Sequence, residues 1–124
     1  MAADDAKTLL EVAVTRALEE VPTFKQMKLV VGVDLRGRGD TQQYRVELPG
    51  PEVRKDIAPD ARVRVEMPRA FFNAMAREAT IADWVEAFTY GQAKATGSAE
   101  ILKLIQHVVE RHEERLRTRR ARRP

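Results

Sequence analysis

The sequence predicts an α+β fold in a single domain, and three observations support this prediction. Apolar residues recur at helical spacing near both ends of the chain. Between the two helical regions, apolar and polar residues alternate with the period of half-buried strands. The length of 124 residues and the hydrophobic content of 44% are ordinary for one globular domain with one core.

The N-terminal half predicts a helix followed by a β-hairpin. Residues 4–21 place their apolar side chains on one helical face, and Pro22 ends the helix or lies just past it. Residues 27–35 and 44–48 then alternate as strands. The glycine-containing segment 36–40 between them predicts a turn, so these two strands should pair antiparallel.

The middle of the chain predicts two more strands and a short helix. Residues 48–60 contain three prolines, which leave room only for a short edge strand near 53–57. Residues 63–67 alternate again as a fourth strand. Pro68 suits the first turn of a helix, which we expect to continue to about residue 78.

The C-terminal third predicts a helix, a strand and a final helix. The segment TIAD (80–83) is a capping motif that begins the first of these helices, and Gly91 closes it. Residues 92–96 alternate as a strand. Ser98 is a plausible N-cap for the last helix, which we expect to end near Arg117.

The side chains of this last strand are unusually small compared with those of the helices on either side of it in the sequence. Ala93 and Ala95 share one of its faces, whereas the adjoining helices are strongly apolar. The apolar stripe of the last helix spans about 160° and consists of Ile101, Leu102, Leu104, Ile105, Val108 and Val109. Two interpretations stay open: a cavity roofed by the last helix, or a filled core in which large helix side chains complement small strand side chains.

Composition and charge exclude several classes of protein. No cysteine is present, which excludes disulfides and thiol catalysis. No apolar run approaches the length of a membrane span and no export signal is visible, so we expect a cytoplasmic protein. Residues 1–110 hold 15 basic and 17 acidic side chains, whereas residues 111–124 hold seven arginines and two glutamates. The basic character therefore belongs to the C-terminal tail.

The residues that catalysis or metal binding would need are missing or badly spaced. Ser98 is the only serine, and its surroundings lack the Gly-x-Ser-x-Gly elbow of a nucleophile. No phosphate-binding or dinucleotide-binding glycine motif follows a strand. His107 and His112 lie five residues apart, about 140° around a helix, and so cannot share one metal ion. We therefore expect neither an enzyme nor a cofactor.

Residues 61–104, together with the hairpin, resemble a sterol carrier protein 2 domain. In that family, a strand similar to VRVEM leads to a short helix similar to PRAFFNAM. A second helix then ends in an aromatic residue and a glycine, as at Phe88 and Gly91. A strand with a lysine and a final glycine follows, as at Lys94 and Gly97, and then a leucine-rich helix. The order and spacing of these features carry the resemblance.

The resemblance implies a five-stranded, mostly antiparallel sheet covered on one side by helices and enclosing an apolar tunnel. Such domains bind and carry fatty acids, fatty acyl-CoA, phospholipids or sterols without covalent chemistry. By position, residues 1–117 form this domain and residues 118–124 a basic, frayed tail. The tunnel wall implied by the resemblance consists of Phe72, Met75, Trp84, Phe88, Ala93, Ala95, Leu102 and Ile105.

The charged residues leave further hypotheses open. Lys94 and Lys103 are candidates for holding a ligand's charged head group, although each also fits a solvated surface lysine. The arginine tail either stabilises the end of the last helix or contacts an anionic membrane, a nucleic acid or an acidic protein. The alternative function is therefore an accessory module of the same fold, with a collapsed pocket, that acts through this tail.

Overall fold

The computed structural model describes residues 5–122. Within that range the chain forms four α-helices, five strands and one 3-10 helix, in the predicted order apart from the 3-10 helix. The helices are α1 (Ala6–Glu20), α2 (Arg69–Met75), α3 (Ile81–Thr89) and α4 (Ala99–Arg122), and the 3-10 helix is Pro22–Gln26. The strands are β1 (Leu29–Arg36), β2 (Thr41–Leu48), β3 (Glu52–Arg54), β4 (Val63–Pro68) and β5 (Lys94–Gly97).

The five strands form one open, mixed sheet in the order β3-β2-β1-β4-β5. The hairpin of β1 and β2 is antiparallel, as predicted, and so are the pairs β2–β3 and β4–β5. Only β1 and β4 run parallel. The predicted fold class, an α+β fold with a five-stranded and mostly antiparallel sheet, is confirmed.

Local sequence signals set the helix starts. The carboxylate of Asp5 accepts a hydrogen bond from the backbone N–H of Thr8 at 2.8 Å, and this bond lowers the pKa of Asp5. At the start of α3, Thr80 and Asp83 form the reciprocal capping box that the sequence predicts. Gly91 follows α3 with a φ of 78°, a left-handed conformation that glycine adopts without strain.

Several boundaries differ from the predicted ones. β3 covers only Glu52–Arg54, since Pro51 directly before it cannot donate a ladder hydrogen bond and the chain bends at Lys55 and Asp56 directly after it. β5 begins two residues later than expected because the N–H groups of Gln92 and Ala93 bond to the carbonyl of Ala87 at the end of α3. α4 continues five residues past Arg117 to Arg122, so part of the predicted tail is helical.

The core lies between one face of the sheet and the helices α1, α2 and α3. Its centre contains Leu35 and Phe72, which are 0% and 2% exposed. Tyr44 belongs to the same core cluster, and burial raises its pKa. No residue of α4 belongs to this cluster. The helix that the sequence predicts as a roof is thus separate from the filled core.

The opposite face of the sheet is polar and carries ion pairs. The guanidinium of Arg64 crosses over Gly32 and donates to Asp34 at 3.0 Å. It also donates to the carbonyl groups of Ile57 and Ala58, and so holds that loop against the sheet. The helices therefore cover one side of the sheet only. Within residues 5–122 no helix is both long enough and apolar enough to cross a membrane.

Candidate functional site

The start of α4 is fixed to the edge of the sheet by a close backbone contact. The N–H of Ser98 donates to the carbonyl of Arg62 at 2.9 Å, and its hydroxyl lies 3.4 Å from the N–H of Ile101 as the predicted N-cap. Gly97 has a φ of 130°, and a Cβ atom at this position would lie 2.2 Å from the carbonyl oxygen of Arg62. Only glycine fits this turn from β5 into α4.

The second fixed point of α4 lies at the other end of the helix layer. The Nε2 atom of His112 is 3.5 Å from a carboxylate oxygen of Glu20, the last residue of α1. The other oxygen of Glu20 accepts a hydrogen bond from the N–H of Ile81, the first residue of α3, at 2.9 Å. One carboxylate thus joins three helices. α4 therefore runs from the β5 edge of the sheet to the point where the end of α1 meets the start of α3.

Between these two fixed points the apolar face of α4 is incompletely covered. Ile101, Leu102, Ile105, Val108 and Val109 are all half-buried, and none is buried. Leu104, at the margin of the stripe, is 50% exposed.

The edge of the sheet from which α4 begins is also incompletely covered. Val65 of β4 is half-buried, and its register partner Ala95 on β5 is exposed. We call this incompletely covered apolar region the α4 groove and define it by Val65, Ala95, Ile101, Leu102, Ile105 and Val108.

Four of the eight predicted wall residues lie in or against the core. Phe72 and Ala93 are 2% and 1% exposed. Trp84 and Met75 are half-buried and pack against the same cluster, and the ring centroids of Phe72 and Trp84 are 6.5 Å apart. These side chains are therefore supported by protein contacts.

The other four predicted wall residues lie outside the core. Ala95, Leu102 and Ile105 belong to the α4 groove as defined above. Phe88 is 38% exposed near the end of α3 and packs neither in the core cluster nor against it. The structure thus divides the predicted wall into a buried layer, a half-open groove and one outlying aromatic side chain.

The two predicted head-group lysines lie away from this groove. Lys94 alternates with Ala93 and Ala95, so it lies on the polar face of the sheet, where it is the register partner of Glu66. Lys103 is exposed on α4, about 160° around the helix from Ile105. Neither lysine reaches the face that carries the apolar side chains.

Two recesses in the described structure are both lined by the C-terminal half of α4. One is a cleft of about 80 Å³, lined by Val21, Pro22, Thr23, Val108, Arg111, His112 and Arg115. The other, of about 530 Å³, is open to solvent and lies against one helix only. Neither is lined by the predicted wall residues. The sequence signal for the cleft is a pair of arginines, Arg111 and Arg115, one helical turn apart after the apolar stripe.

Comparison with known proteins finds the same fold in solved structures of low sequence identity. No protein-family model matches the sequence, and no curated protein does. The palmitated sterol carrier protein 2-like 2 of Aedes aegypti superposes with a TM-score of 0.60, at 16% identity, over 86% of this chain and 95% of its own. This chain has the sterol carrier protein 2 fold.

The same fold occurs in proteins of different organisation. A ubiquinone synthesis protein with a sterol carrier protein 2 fold superposes with a TM-score of 0.53, at 13% identity, over 86% of this chain and 90% of its own. A sec-alkylsulfatase of a Pseudomonas species superposes with a TM-score of 0.56, at 14% identity, over 87% of this chain but only 16% of the enzyme. The fold therefore occurs both as nearly a whole chain and as a small part of an enzyme.

Proposed function

We propose that this chain binds and carries a hydrophobic small molecule in the α4 groove without covalent chemistry. The ligand class is a fatty acid, a fatty acyl-CoA, a phospholipid or another apolar metabolite. The observation that carries the proposal is the apolar face of α4, which stays half-buried between its two fixed points, while Ala95 on the strand that leads into it is exposed. The palmitate in a solved structure of the same fold supports this class of ligand.

The energetics favour such a ligand. Each methylene that leaves water for an apolar site contributes about 0.8 kcal/mol, so an acyl chain needs few polar contacts. In the empty protein the side chains of the α4 groove keep part of their surface in water, which is unfavourable. An acyl chain bound in the groove would remove both this surface and its own apolar surface from water.

The roles of the predicted wall residues follow from their burial. Ala95, Leu102 and Ile105 contact the chain directly in this proposal, and the small side chain of Ala95 leaves the space that the chain occupies. Phe72, Met75, Trp84 and Ala93 form the layer beneath, whereas exposed Phe88 lies outside this layer.

A displacement titration tests the proposal. Delipidated protein is titrated with a fluorescent fatty acid, and unlabelled palmitate is then added as competitor. We expect saturable binding at one site and full displacement by palmitate. Fluorescence that rises without saturation, or that palmitate does not reverse, would contradict a defined site. Native mass spectrometry of protein purified from cells adds a control, because a carrier should retain a co-purifying lipid-like mass.

The second candidate is an accessory module of the same fold with a collapsed pocket. The observation that favours it is the filled centre of the domain, where Phe72 and Ala93 have almost no exposed surface. The occurrence of the fold as a minor part of an alkylsulfatase fits such a role. A clean apo mass together with no fatty-acid binding would favour this candidate.

A further inference from the structure

The α4 groove ends at the smaller of the two recesses described above. Val108 belongs both to the groove and to the lining of this cleft, so the two are continuous along one helix. Residues 105 and 115 are about 15 Å apart along the helix axis. A volume of about 80 Å³ admits a few water molecules or one small polar group, but not an acyl chain.

Cationic side chains dominate the polar part of this cleft. Arg111 and Arg115 lie one turn apart on the same side of α4, and neither has an ion-pair partner among residues 5–122. Like charges at this spacing destabilise a helix, and an anion between them removes the repulsion. Arginine is also the side chain best suited to carboxylate and phosphate, because its planar fork donates two parallel hydrogen bonds.

Two further groups of the cleft can donate hydrogen bonds. The Nε2 atom of His112 is buried without a hydrogen-bond partner, and its side chain is 14% exposed. The hydroxyl of Thr23, on the 3-10 helix opposite, has no partner in the described range. Glu20 is not part of the lining: one of its oxygens accepts from the N–H of Ile81, and the other lies 3.5 Å from the same Nε2 atom of His112 without a hydrogen bond.

The geometry points to a subsite in this cleft for an oxyanion, a carboxylate or phosphate, that forms the head group of an amphiphile whose chain lies in the α4 groove. This inference rests on the proposed function, since the groove supplies the site for the chain. Val21, Pro22 and Val108 form the apolar part of the lining, next to the head group. Arg111 and Arg115 thus take the head-group role predicted for Lys94 and Lys103.

Four probes separate the head group from the chain: dodecanol, dodecanoate, dodecyl phosphate and inorganic phosphate. Each is titrated into the full-length protein by calorimetry. The test variant carries Arg111→Gln and Arg115→Gln. The matched control carries Arg117→Gln and Arg119→Gln, which remove the same charge from the same helix outside the cleft. Circular dichroism checks that both variants keep the helical content of the wild type.

We expect the wild type to bind dodecanoate or dodecyl phosphate roughly tenfold or more tightly than dodecanol, the effect of one charge-assisted pair of hydrogen bonds. The cleft variant should lose this preference and still bind dodecanol as the wild type does, whereas the control variant should keep it. An equal affinity for dodecanol and the anionic probes, or an equal loss in both variants, would overturn the subsite.

The same probes distinguish failure of the subsite from failure of the proposed function. If neither dodecanol nor the two anionic amphiphiles bind, the groove is not a lipid site, and the proposed function fails. Inorganic phosphate then decides the subsite alone, through the nuclear magnetic resonance signals of the His112 ring. A saturable shift of these signals that the cleft variant abolishes would support an oxyanion site, and no shift would overturn it.

Discussion

The Nε2 atom of His112 lies 3.5 Å from a carboxylate oxygen of Glu20, and this contact joins α4 to the end of α1. The two residues lie far apart in the sequence. Together with the turn at Gly97, the contact fixes α4 at two points and leaves the apolar residues between them half-buried. In the proposed function, an apolar ligand would occupy this half-buried region while the core beneath α1, α2 and α3 stays intact.

Replacing Glu20 should loosen α4 and lower stability together. Glu20→Ala removes a charge-assisted hydrogen bond to Ile81 and the contact with His112, which we expect to cost about 1–2 kcal/mol of unfolding free energy. Glu19→Ala, at the exposed neighbouring position, should change stability by less than about 0.5 kcal/mol. Urea unfolding measures both. An equal effect of the two substitutions would contradict the role of Glu20.

A bulky residue at Ala95 should block the groove without unfolding the protein. Ala95 is exposed, so Ala95→Trp should cost less than the roughly 1–3 kcal/mol of overfilling a packed core. It should abolish binding of the fluorescent fatty acid, since the indole ring occupies the space for the chain. Thr96→Trp places the same ring on the opposite face of β5 and should bind normally. Normal binding by both variants would place the ligand elsewhere.

The turn into α4 should tolerate only glycine. Gly97→Ala combines a positive φ with a Cβ position 2.2 Å from the carbonyl oxygen of Arg62. Gly91 also has a positive φ, but its Cβ position is open. We therefore expect Gly91→Ala to cost about 1–2 kcal/mol and Gly97→Ala clearly more. Thermal unfolding of both variants checks this order, and similar losses would show that the contact with Arg62 is relaxed at little cost.

Gly32 and Arg64 should be energetically coupled. A Cβ atom at Gly32 would lie 2.8 Å from the Arg64 guanidinium, so Gly32→Ala should displace it from Asp34 and from the carbonyl of Ile57. We expect a loss of about 1–2 kcal/mol in the wild type. In an Arg64→Ala background the same substitution should be neutral or stabilising, because alanine suits a strand better than glycine. A double-mutant cycle without coupling would contradict this account.

Features set by neighbouring residues could be predicted from the sequence. The capping box of Thr80 and Asp83, the left-handed Gly91 and the antiparallel hairpin all depend on local hydrogen bonds and turn chemistry, and the structure has all three. The parallel pairing of β1 and β4 depends on contacts between distant segments, which periodicity does not report. The prediction of one five-stranded sheet came from the resemblance to sterol carrier protein 2, because local patterns predict strands but not how distant strands pair.

The candidate site was only partly predictable, because burial depends on distant segments. Ala93 and Ala95 look alike in sequence, yet Ala93 is 1% exposed and Ala95 is exposed, since the core ends between them. The same difference separates Phe72 in the core from Phe88 at the surface. The charge count groups Arg111 with the other C-terminal arginines, because nothing in the sequence shows that α4 passes the 3-10 helix there.

The most direct test of the proposed ligand site is an isotope-filtered nuclear Overhauser measurement on the palmitate complex with methyl-labelled protein. Our account predicts contacts from the palmitate methylenes to the methyl groups of Leu102 and Ile105 and none to Val46, which is 2% exposed in the core. Palmitate that binds without contacting Leu102 or Ile105, or that does not bind at all, would contradict it.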